Sequence, residues 1–557
     1  MSWELKRINV LGVIIFMTLS LHLGAQVAPG KYWIQFTDKN NSPYSISNPQ
    51  AYLSQRAIDR RSAQGIRVTS QDFPVNSFYI LDVQQTATLT VLASSKWLNG
   101  ILIQTTDTLG LAQIMNLPFV DSIQSESVEN PDGERSHKMD LNGETVAVEG
   151  SFSNASEGFN YGHADGQNTM LRINYLHDLG YTGSGMVIAV LDAGFNGTDT
   201  TAIVQSLFTN NQILGTWDVV LNQPVDYANH SNHGALVLNC MGANLPGVYI
   251  GTAPDADYWL IRTEDAPTEN IIEEYNWVVG AEFADSVGAD VINSSLGYTE
   301  FDDSTKSHMY SDLDGNTTIV TIGADIAASK GILVVNSAGN SGNSAWHYIG
   351  APADGDSVLS IGAVWPDLSV TGFSSRGPSV DGRVKPNVMA MGGYVPMPVG
   401  TDSITYINGT SFSGPILAGA AACFWQSRPS YTNMDVYHAI EQSSDRYGNP
   451  NDDYGYGIPN FELAYFLITG THEWDGSEST LEVYPNPTSG VIYIDEISGH
   501  SIELMVRDVS GKVIFKNSNP SKINNQVAVD LSKLKPGFYL IELRSERETR
   551  NARVIKN

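Results

Sequence analysis

Three residue types that cooperate in nucleophilic chemistry stand at three separate points of this chain. Asp192 ends the apolar run "MVIAVLD", His233 opens the stretch "HGALVLNCMGA", and Ser411 stands where "NGT" meets the apolar stretch "FSGPILAGAAACFW". A serine hydroxyl becomes a nucleophile when a neighbouring imidazole takes its proton, and a carboxylate can orient that imidazole. Each residue also has a structural explanation at its position: a hydrogen-bonded aspartate, a helix-start histidine or a serine N-cap.

The elements around these residues predict where they stand in a fold. Between about residues 160 and 470, short continuous apolar runs alternate with helical stretches, which predicts a parallel sheet covered by helices on both faces. Function in such a fold lies at the carboxyl ends of the strands, where Asp192 stands. The positive end of a helix would keep His233 neutral and would place backbone N–H groups beside Ser411, with Pro415 in the first turn. Spacing alone does not show that the three residues meet.

The sequence blocks around the three residues resemble the subtilase family of subtilisin-like serine peptidases. These blocks are "VIAVLDAGF", "HGALV" and "GTSFSGP", and the flanking segments "GTAPDA", "VINSSLG", "NSAGN" and "FSSRGP" follow in the expected order. The order Asp, His, Ser is the subtilisin order. One departure is Ala235, which stands where the family usually has a threonine.

This resemblance implies a serine endopeptidase with an acyl-enzyme intermediate. By that implication Ser411 attacks the scissile carbonyl, His233 transfers the proton and Asp192 orients the imidazole. Asn340 matches the family asparagine that helps to bind the oxyanion. The resemblance also implies that Ser295, Leu296 and Gly297 pair with an extended substrate backbone.

The sequence predicts no metal ligand set and no cofactor for the chemistry. His230 and His233 are three residues apart, but no third ligand follows at a convincing spacing. The loop "SDLDGN" (311–316) lacks the spacing of an EF-hand, so we read it as a turn. Structural calcium, which is common in the family, stays an alternative there.

Composition and the N-terminus indicate an exported protein. The 557 residues carry a formal charge of −29, which disfavours nucleic acid and anionic lipid as partners. Residues 1–25 read as a signal peptide, because Lys6 and Arg7 precede a short apolar run that ends in small residues. No later segment is long and apolar enough to predict a transmembrane span. The two cysteines, Cys240 and Cys423, are expected to be buried free thiols, with a single bridge as the alternative.

Two flanking regions differ from the central one. Residues 26–150 mix strands and helices with a polar linker and resemble a subtilase propeptide, the chain's own inhibitor; a retained accessory domain is the alternative. Within it we predict strands at "KYWIQFT" and "SFYILDV" and helices at "NPQAYLSQRAIDRRSAQGI" and "TLTVLASSKWLN". Residues 471–557 predict a β-sandwich and resemble the sorting domain of type IX secretion, with a binding module as the alternative.

The predicted fold is therefore α/β, with a subtilisin-like parallel sheet at 151–470, a small α+β propeptide before it and an all-β immunoglobulin-like sandwich after it. The predicted protein is a zymogen that is exported by type IX secretion machinery and acts on protein or peptide substrates outside the cell or at its surface. Two other functions stay open: an inactive subtilase-like scaffold for binding or adhesion, and an esterase or peptide ligase that uses the same residues.

Overall fold

A computed structural model shows two compact units, one that ends at Pro459 and one that begins at Asn460. The predicted signal segment 1–25 lies outside the described residues. The structure describes residues 30–128, 144–147, 159–399, 403–472, 481, 483–486, 488–495, 502–507, 513–518, 520, 522–523, 526–535, 537–545 and 549–556.

Residues 30–128 of the N-terminal domain form an antiparallel sheet, in the strand order β2-β3-β1-β4, with three α-helices. Its elements are β1 (Gly30–Phe36), α1 (Gln55–Ala63), α2 (Ser77–Thr86), β2 (Thr90–Ser95), β3 (Gly100–Thr105), α3 (Thr108–Ile114) and β4 (Val120–Val128). Short 3₁₀ turns of the chain lie at Pro49–Ala51, Ser70–Asp72, Thr198–Thr200, Ala202–Val204 and Tyr310–Asp312.

Two predictions for this domain were wrong. The segment "SFYILDV", predicted as a strand, begins helix α2, because the Asn76 side chain caps the helix by accepting from the Phe78 N–H at 3.0 Å. The segment "TLTVLASSKWLN", predicted as a helix, contains strand β2, because residues such as Val91 pair with Ile103 of β3. Strand pairing overrode a weak helical pattern there.

The central domain is built on a seven-stranded parallel sheet in the order β14-β13-β12-β11-β6-β10-β7. A separate three-stranded sheet joins β15, β16 and β5, and a two-stranded sheet joins β8 and β9. The elements are β5 (Glu144–Ala147), α4 (Asp165–Met170), α5 (Ile173–Asp178), β6 (Val187–Asp192), α6 (Gln205–Thr209), β7 (Ile213–Asp218), α7 (His233–Gly242), β8 (Asn244–Leu245), β9 (Tyr249–Ile250), β10 (Asp257–Arg262), α8 (Ile272–Val287), β11 (Val291–Ser294), α9 (Ile319–Ser329), β12 (Leu333–Ser337), β13 (Val358–Val364), β14 (Val388–Met391), β15 (Val395–Val399), β16 (Ser403–Ile407), α10 (Thr410–Gln426) and α11 (Asn433–Gln442).

Both faces of the central sheet are covered, as the continuous apolar strands predicted. Every residue of β6 is buried. Val187, Ala189 and Leu191 belong to the core that includes α8 and α9. The alternate residues of the strand point to the other face, where α10 packs along β11, β12, β13 and β14.

The described residues of the second unit form one helix and a β-sandwich. Its two antiparallel sheets, in the orders β17-β18-β22-β21 and β20-β19-β23-β24, enclose a core that includes Ile492, Val506, Val529 and Ile541. The predicted β-sandwich is confirmed. The elements are α12 (Phe461–His472), β17 (Val483–Tyr484), β18 (Val491–Asp495), β19 (Ile502–Arg507), β20 (Val513–Ser518), β21 (Lys522–Ile523), β22 (Gln526–Asp530), β23 (Gly537–Ser545) and β24 (Thr549–Lys556).

The N-terminal domain docks on helix α8 through buried charges. The Asp285 carboxylate accepts from Arg60 at 2.6 Å, from Arg61 at 2.7 Å and from Lys96 at 3.2 Å, and its side chain has no exposed surface. The Glu282 carboxylate accepts from the backbone N–H groups of Lys96 and Trp97 at 2.9 and 2.8 Å. The two domains of this unit are thus joined by charge-assisted hydrogen bonds that water does not reach.

A buried lysine ties two loops of the central domain together. The Lys385 ammonium donates to the carbonyls of Gly355 and Val358 at 2.8 Å each and to the Asn387 side-chain oxygen at 3.1 Å, and Lys385 is 1% exposed. Burial, followed by the charge of Arg383, lowers the pKa of Lys385 to about 8. At neutral pH the protonated amine therefore lowers the free energy of unfolding, because its charge is hydrated in the unfolded chain but buried in the folded chain.

Replacing Lys385 by methionine is expected to change how stability depends on pH. Between pH 8 and 10.5 the unfolded chain keeps a proton that folded Lys385 has lost, so the free energy of unfolding rises with pH through this group. From the lower to the upper end of that pH range, we expect the free energy of unfolding of the native chain to rise by about 2–3 kcal/mol relative to that of Lys385→Met. Denaturant unfolding at several pH values measures this rise. All chains carry Ser411→Ala to prevent self-cleavage, and Lys533→Met, which changes an exposed lysine, is the control. Parallel curves for native and Lys385→Met chains would contradict it.

Candidate active site

Asp192 and His233 meet at the centre of the sheet edge. Asp192 is the last residue of β6 and is fully buried; its Oδ1 accepts from the Ala193 N–H at 2.7 Å. His233 is the first residue of α7, and its Nδ1 lies 2.8 Å from Asp192 Oδ1 and 3.0 Å from Oδ2. Because a carboxylate only accepts, Nδ1 carries the proton and Nε2 is left as the acceptor.

The glycine after His233 explains how the two elements come so close. A Cβ on Gly234 would lie 2.6 Å from the Gly194 carbonyl oxygen and 2.9 Å from the Asp192 Cβ. The Gly234 N–H donates to that same carbonyl at 2.9 Å. Any larger residue would push α7 away from β6 and separate the imidazole from the carboxylate.

Ser411 is not the N-cap of its helix. The cap is Gly409, whose φ of 155° disfavours other residues, and Ser411 is the second residue of α10. The Ser411 side chain therefore stands in the first turn, among backbone N–H groups that have no partner within the helix. Ser411 Oγ lies 3.5 Å from the Ser295 carbonyl oxygen, and among the described contacts it makes no hydrogen bond to His233.

Pro415 is the sixth residue of α10, so its predicted position in the first turn was wrong. It lacks the N–H that would bond to the carbonyl of Ser411, four residues earlier. The Ser295 hydroxyl supplies the missing donor and bonds to that carbonyl at 2.9 Å. The proline thus frees the Ser411 backbone for a bond that ties α10 to the residues after β11.

Asn340 follows β12 and is held by the residue before Ser411. Its Oδ1 accepts from the Thr410 N–H and from the Thr410 hydroxyl, both at 2.9 Å. The Gly339 N–H in turn donates to the Thr410 hydroxyl at 3.2 Å. These bonds fix the amide of Asn340 and leave its NH₂ group as the donor that can face a ligand.

One cavity of about 530 Å³ brings most of the predicted residues together. Asp192 is not among the lining residues and lies behind His233. Thr410, Glu264 and Tyr348 line the cavity but were not predicted as site residues. The lining residues that the sequence predicted are His233, Ser295, Leu296, Gly297, Asn340 and Ser411.

Three family models match the chain. The "Peptidase S8 propeptide domain, Bacteroidota" matches residues 31–140, the "Subtilase family" matches 183–457, and the "Secretion system C-terminal sorting domain" matches 482–557. Subtilisin E of Bacillus subtilis (strain 168) is 32% identical over 293 residues, which cover 52% of this chain and 68% of that protein. The chain belongs to the subtilase family. This subtilase is accordingly a serine-type endopeptidase with a propeptide domain and a secretion sorting domain, and it is secreted or held at the cell surface.

Two further similarities are weaker. Subtilisin BL of Lederbergia lenta is 29% identical over 290 residues, which cover 52% of this chain and 93% of that protein. The crystal structure of MycP1 without its N-terminal propeptide aligns with a TM-score of 0.41 at 22% identity, over 54% of this chain and 96% of that chain. That structural likeness is too weak to add to the assignment.

The described residues contain no group of three or more His, Cys, Asp or Glu side chains arranged around one point. In the loop 311–316, Asp312 accepts from the Met309 N–H and Asp314 from the Asn316 N–H, both at 2.8 Å, so these carboxylates cap their own turns. His230 lies 4.0 Å from Asp218, while the His233 ring faces Asp192.

Other expectations concern the cysteines and the membrane. Cys240 and Cys423 are both buried and unbridged, as predicted. In the described part of the chain, no helix combines the length and the hydrophobicity that a membrane crossing needs.

Proposed function

We propose that Asp192, His233 and Ser411 form the catalytic triad of this secreted endopeptidase. The observation that supports this most directly is the pairing of His233 Nδ1 with the buried Asp192 carboxylate, which leaves Nε2 as an acceptor in the cavity that Ser411 also lines. A rotation of the Ser411 side chain would direct its hydroxyl to that nitrogen. Hydrogen bonds of this kind are often long in a site that holds no substrate.

The proposed reaction passes through an acyl-enzyme. His233 Nε2 removes the proton of Ser411 Oγ while the oxygen attacks the scissile carbonyl carbon, and the protonated imidazole then delivers that proton to the leaving amine. Water, activated by the same nitrogen, releases the acyl group and regenerates the serine. Asp192 stabilises the imidazolium and holds its Nδ1–H in place. No cofactor is required for these steps.

The proposed oxyanion site uses Asn340 and the start of α10. The NH₂ group of Asn340, fixed through Thr410, and the Ser411 N–H would bind the negative oxygen of the tetrahedral intermediate. Backbone groups of Ser295, Leu296 and Gly297 would pair with the substrate chain along the same cavity.

The two flanking domains concern the timing of activation and the export of the enzyme. We propose that the N-terminal domain, docked on α8, inhibits the enzyme until it is removed, and that the C-terminal sandwich engages type IX secretion machinery. The matches to a propeptide domain and a secretion sorting domain support both roles.

Labelling with a fluorophosphonate tests the triad. Such a probe forms a bond from its phosphorus to an activated serine oxygen and releases fluoride, so intact mass of the propeptide-free enzyme should show one adduct. Ser411→Ala should show none, and Ser413→Ala, which changes a buried serine two residues away, should label like the native enzyme. Absence of an adduct on folded native enzyme would contradict the triad and favour the binding scaffold. Parallel peptide, ester and transpeptidation assays separate a peptidase from an esterase or ligase.

A further inference from the structure

The cavity that holds Ser411 has an uneven charge. Among its described lining residues, Glu264 is the only one with a carboxylate, and neither a lysine nor an arginine is present. A substrate side chain that enters the cavity therefore meets a single carboxyl group among these residues.

Glu264 borders the cavity close to the end of β10. It is the second residue after that strand; it borders the cavity and has no solvent-accessible surface. Strand β10 is separated from β11 by β6 alone. At about 4.8 Å per strand, Glu264 lies roughly 10 Å along the sheet edge from the segment after β11. Only a long side chain of a substrate bound at that segment would reach it.

The carboxylate is held from the substrate-binding side. The Tyr298 hydroxyl donates to Glu264 Oε1, and the Thr263 hydroxyl lies 3.5 Å from the same oxygen. Tyr298 directly follows Gly297 and is anchored by backbone bonds of 2.9 and 3.2 Å to Ala351. Both of these donors are neutral hydroxyl groups that orient the carboxylate.

The surroundings add negative charge. Burial, followed by the charges of Glu264 and Glu273, raises the pKa of Tyr298 well above its ordinary value. The arginine of β10, Arg262, is engaged by Asp218 at 2.9 Å and by Asp265 at 3.1 Å. The field around Glu264 thus favours a cation.

We infer that Glu264 is a specificity-determining residue that accepts the ammonium or guanidinium group of a lysine or arginine side chain of the substrate, on the amino side of the cleaved bond. This inference rests on the proposed function. A charge-assisted hydrogen bond in a site that excludes water would favour a basic over a neutral side chain by about 10- to 100-fold. The competing explanation is that Glu264 only anchors Tyr298 and the loop that follows it.

Paired substrates test the inference on the native enzyme. Internally quenched peptides carry arginine at one position on the amino side of the cleaved bond, or citrulline, which has nearly the same shape without the charge. We expect kcat/KM to be about 10- to 100-fold higher for arginine at one such position. Equal values at every position would overturn the inference.

The variant Glu264→Gln tests whether this carboxylate causes the preference for arginine over citrulline. Glutamine keeps an oxygen that can accept from Tyr298, so the arginine-to-citrulline ratio should fall toward one while citrulline peptides are cleaved at nearly the native rate. Glu300→Gln removes an exposed charge outside the cavity and should keep the native ratio. An unchanged ratio in Glu264→Gln would contradict the assignment. Fluorophosphonate labelling is run on each variant: if the native enzyme does not label, the triad has failed, whereas normal labelling without an arginine preference refutes this inference alone.

Discussion

Replacing Asp192 by asparagine is expected to lower kcat about 10⁴-fold while KM changes little. An asparagine NH₂ group would donate to His233 Nδ1 and force the imidazole proton onto Nε2, where it blocks acceptance of the Ser411 proton. The expected size is that of the same substitution in a chymotrypsin-type serine peptidase. The loss falls on kcat because the carboxylate stabilises an imidazolium that forms only during the reaction.

Steady-state kinetics on a peptide substrate, with the propeptide removed, measures this effect. Asp265→Asn is a suitable control, because its half-exposed carboxylate also pairs with a cation near the sheet edge but lies outside the cavity. It should retain native kcat. A loss of less than tenfold in Asp192→Asn, in a chain that still folds and binds substrate, would mean that this carboxylate does not set the tautomer of His233.

The sheet and the central pair of residues were predictable because they depend on local signals. Continuous apolar strands such as "VIAVLD" report burial on both faces, and the sequence blocks place Asp192 and His233 at the ends of their elements. The exchange of helix and strand between residues 77 and 99 was not predictable, because the cap of α2 and the pairing of β2 with β3 outweigh similar local propensities.

The features of the site that the sequence did not predict depend on contacts between distant parts of the chain. The bond from the Ser295 hydroxyl to the Ser411 carbonyl joins residues 116 apart, and Thr410 holds Asn340 across 70 residues. The periodic spacing of apolar residues in the sequence does not predict such hydrogen-bond partners. Glu264 entered the cavity lining only because the parallel order of β10, β6 and β11 brings their ends together.

The buried charge cluster between propeptide and peptidase leads to the second large effect, in Asp285→Asn. Although burial opposes ionisation, Lys96, Arg60 and Arg61 together hold the pKa of Asp285 well below its usual range. The stabilisation is therefore present above the ordinary aspartate pKa and is lost only as pH falls through the depressed value. Asparagine would leave three buried cations without their shared anion, at a cost of about 3–5 kcal/mol.

Hydrogen exchange on the uncleaved Ser411→Ala chain measures that cost. The N–H groups of Lys96 and Trp97 donate across the interface to Glu282, so they exchange when the propeptide domain undocks. We expect Asp285→Asn to speed their exchange roughly 10²- to 10⁴-fold, while N–H groups of the sheet interior, such as that of Val190, stay protected. Asp82→Asn, an exposed carboxylate of the same domain, should change neither.

Equal exchange rates in Asp285→Asn and the parent chain would show that apolar contacts, such as the stacking of Trp33 on Tyr275 at 4.7 Å, hold the two domains together without the charges. Faster exchange at Lys96 and Trp97 with an unchanged sheet would place the main resistance to undocking in one carboxylate. Because that carboxylate stays ionised at mildly acidic pH, acidification alone would then not release the propeptide through Asp285. Cleavage of the chain between the two domains, which converts a tethered domain into a dissociable one, would be the step that permits release.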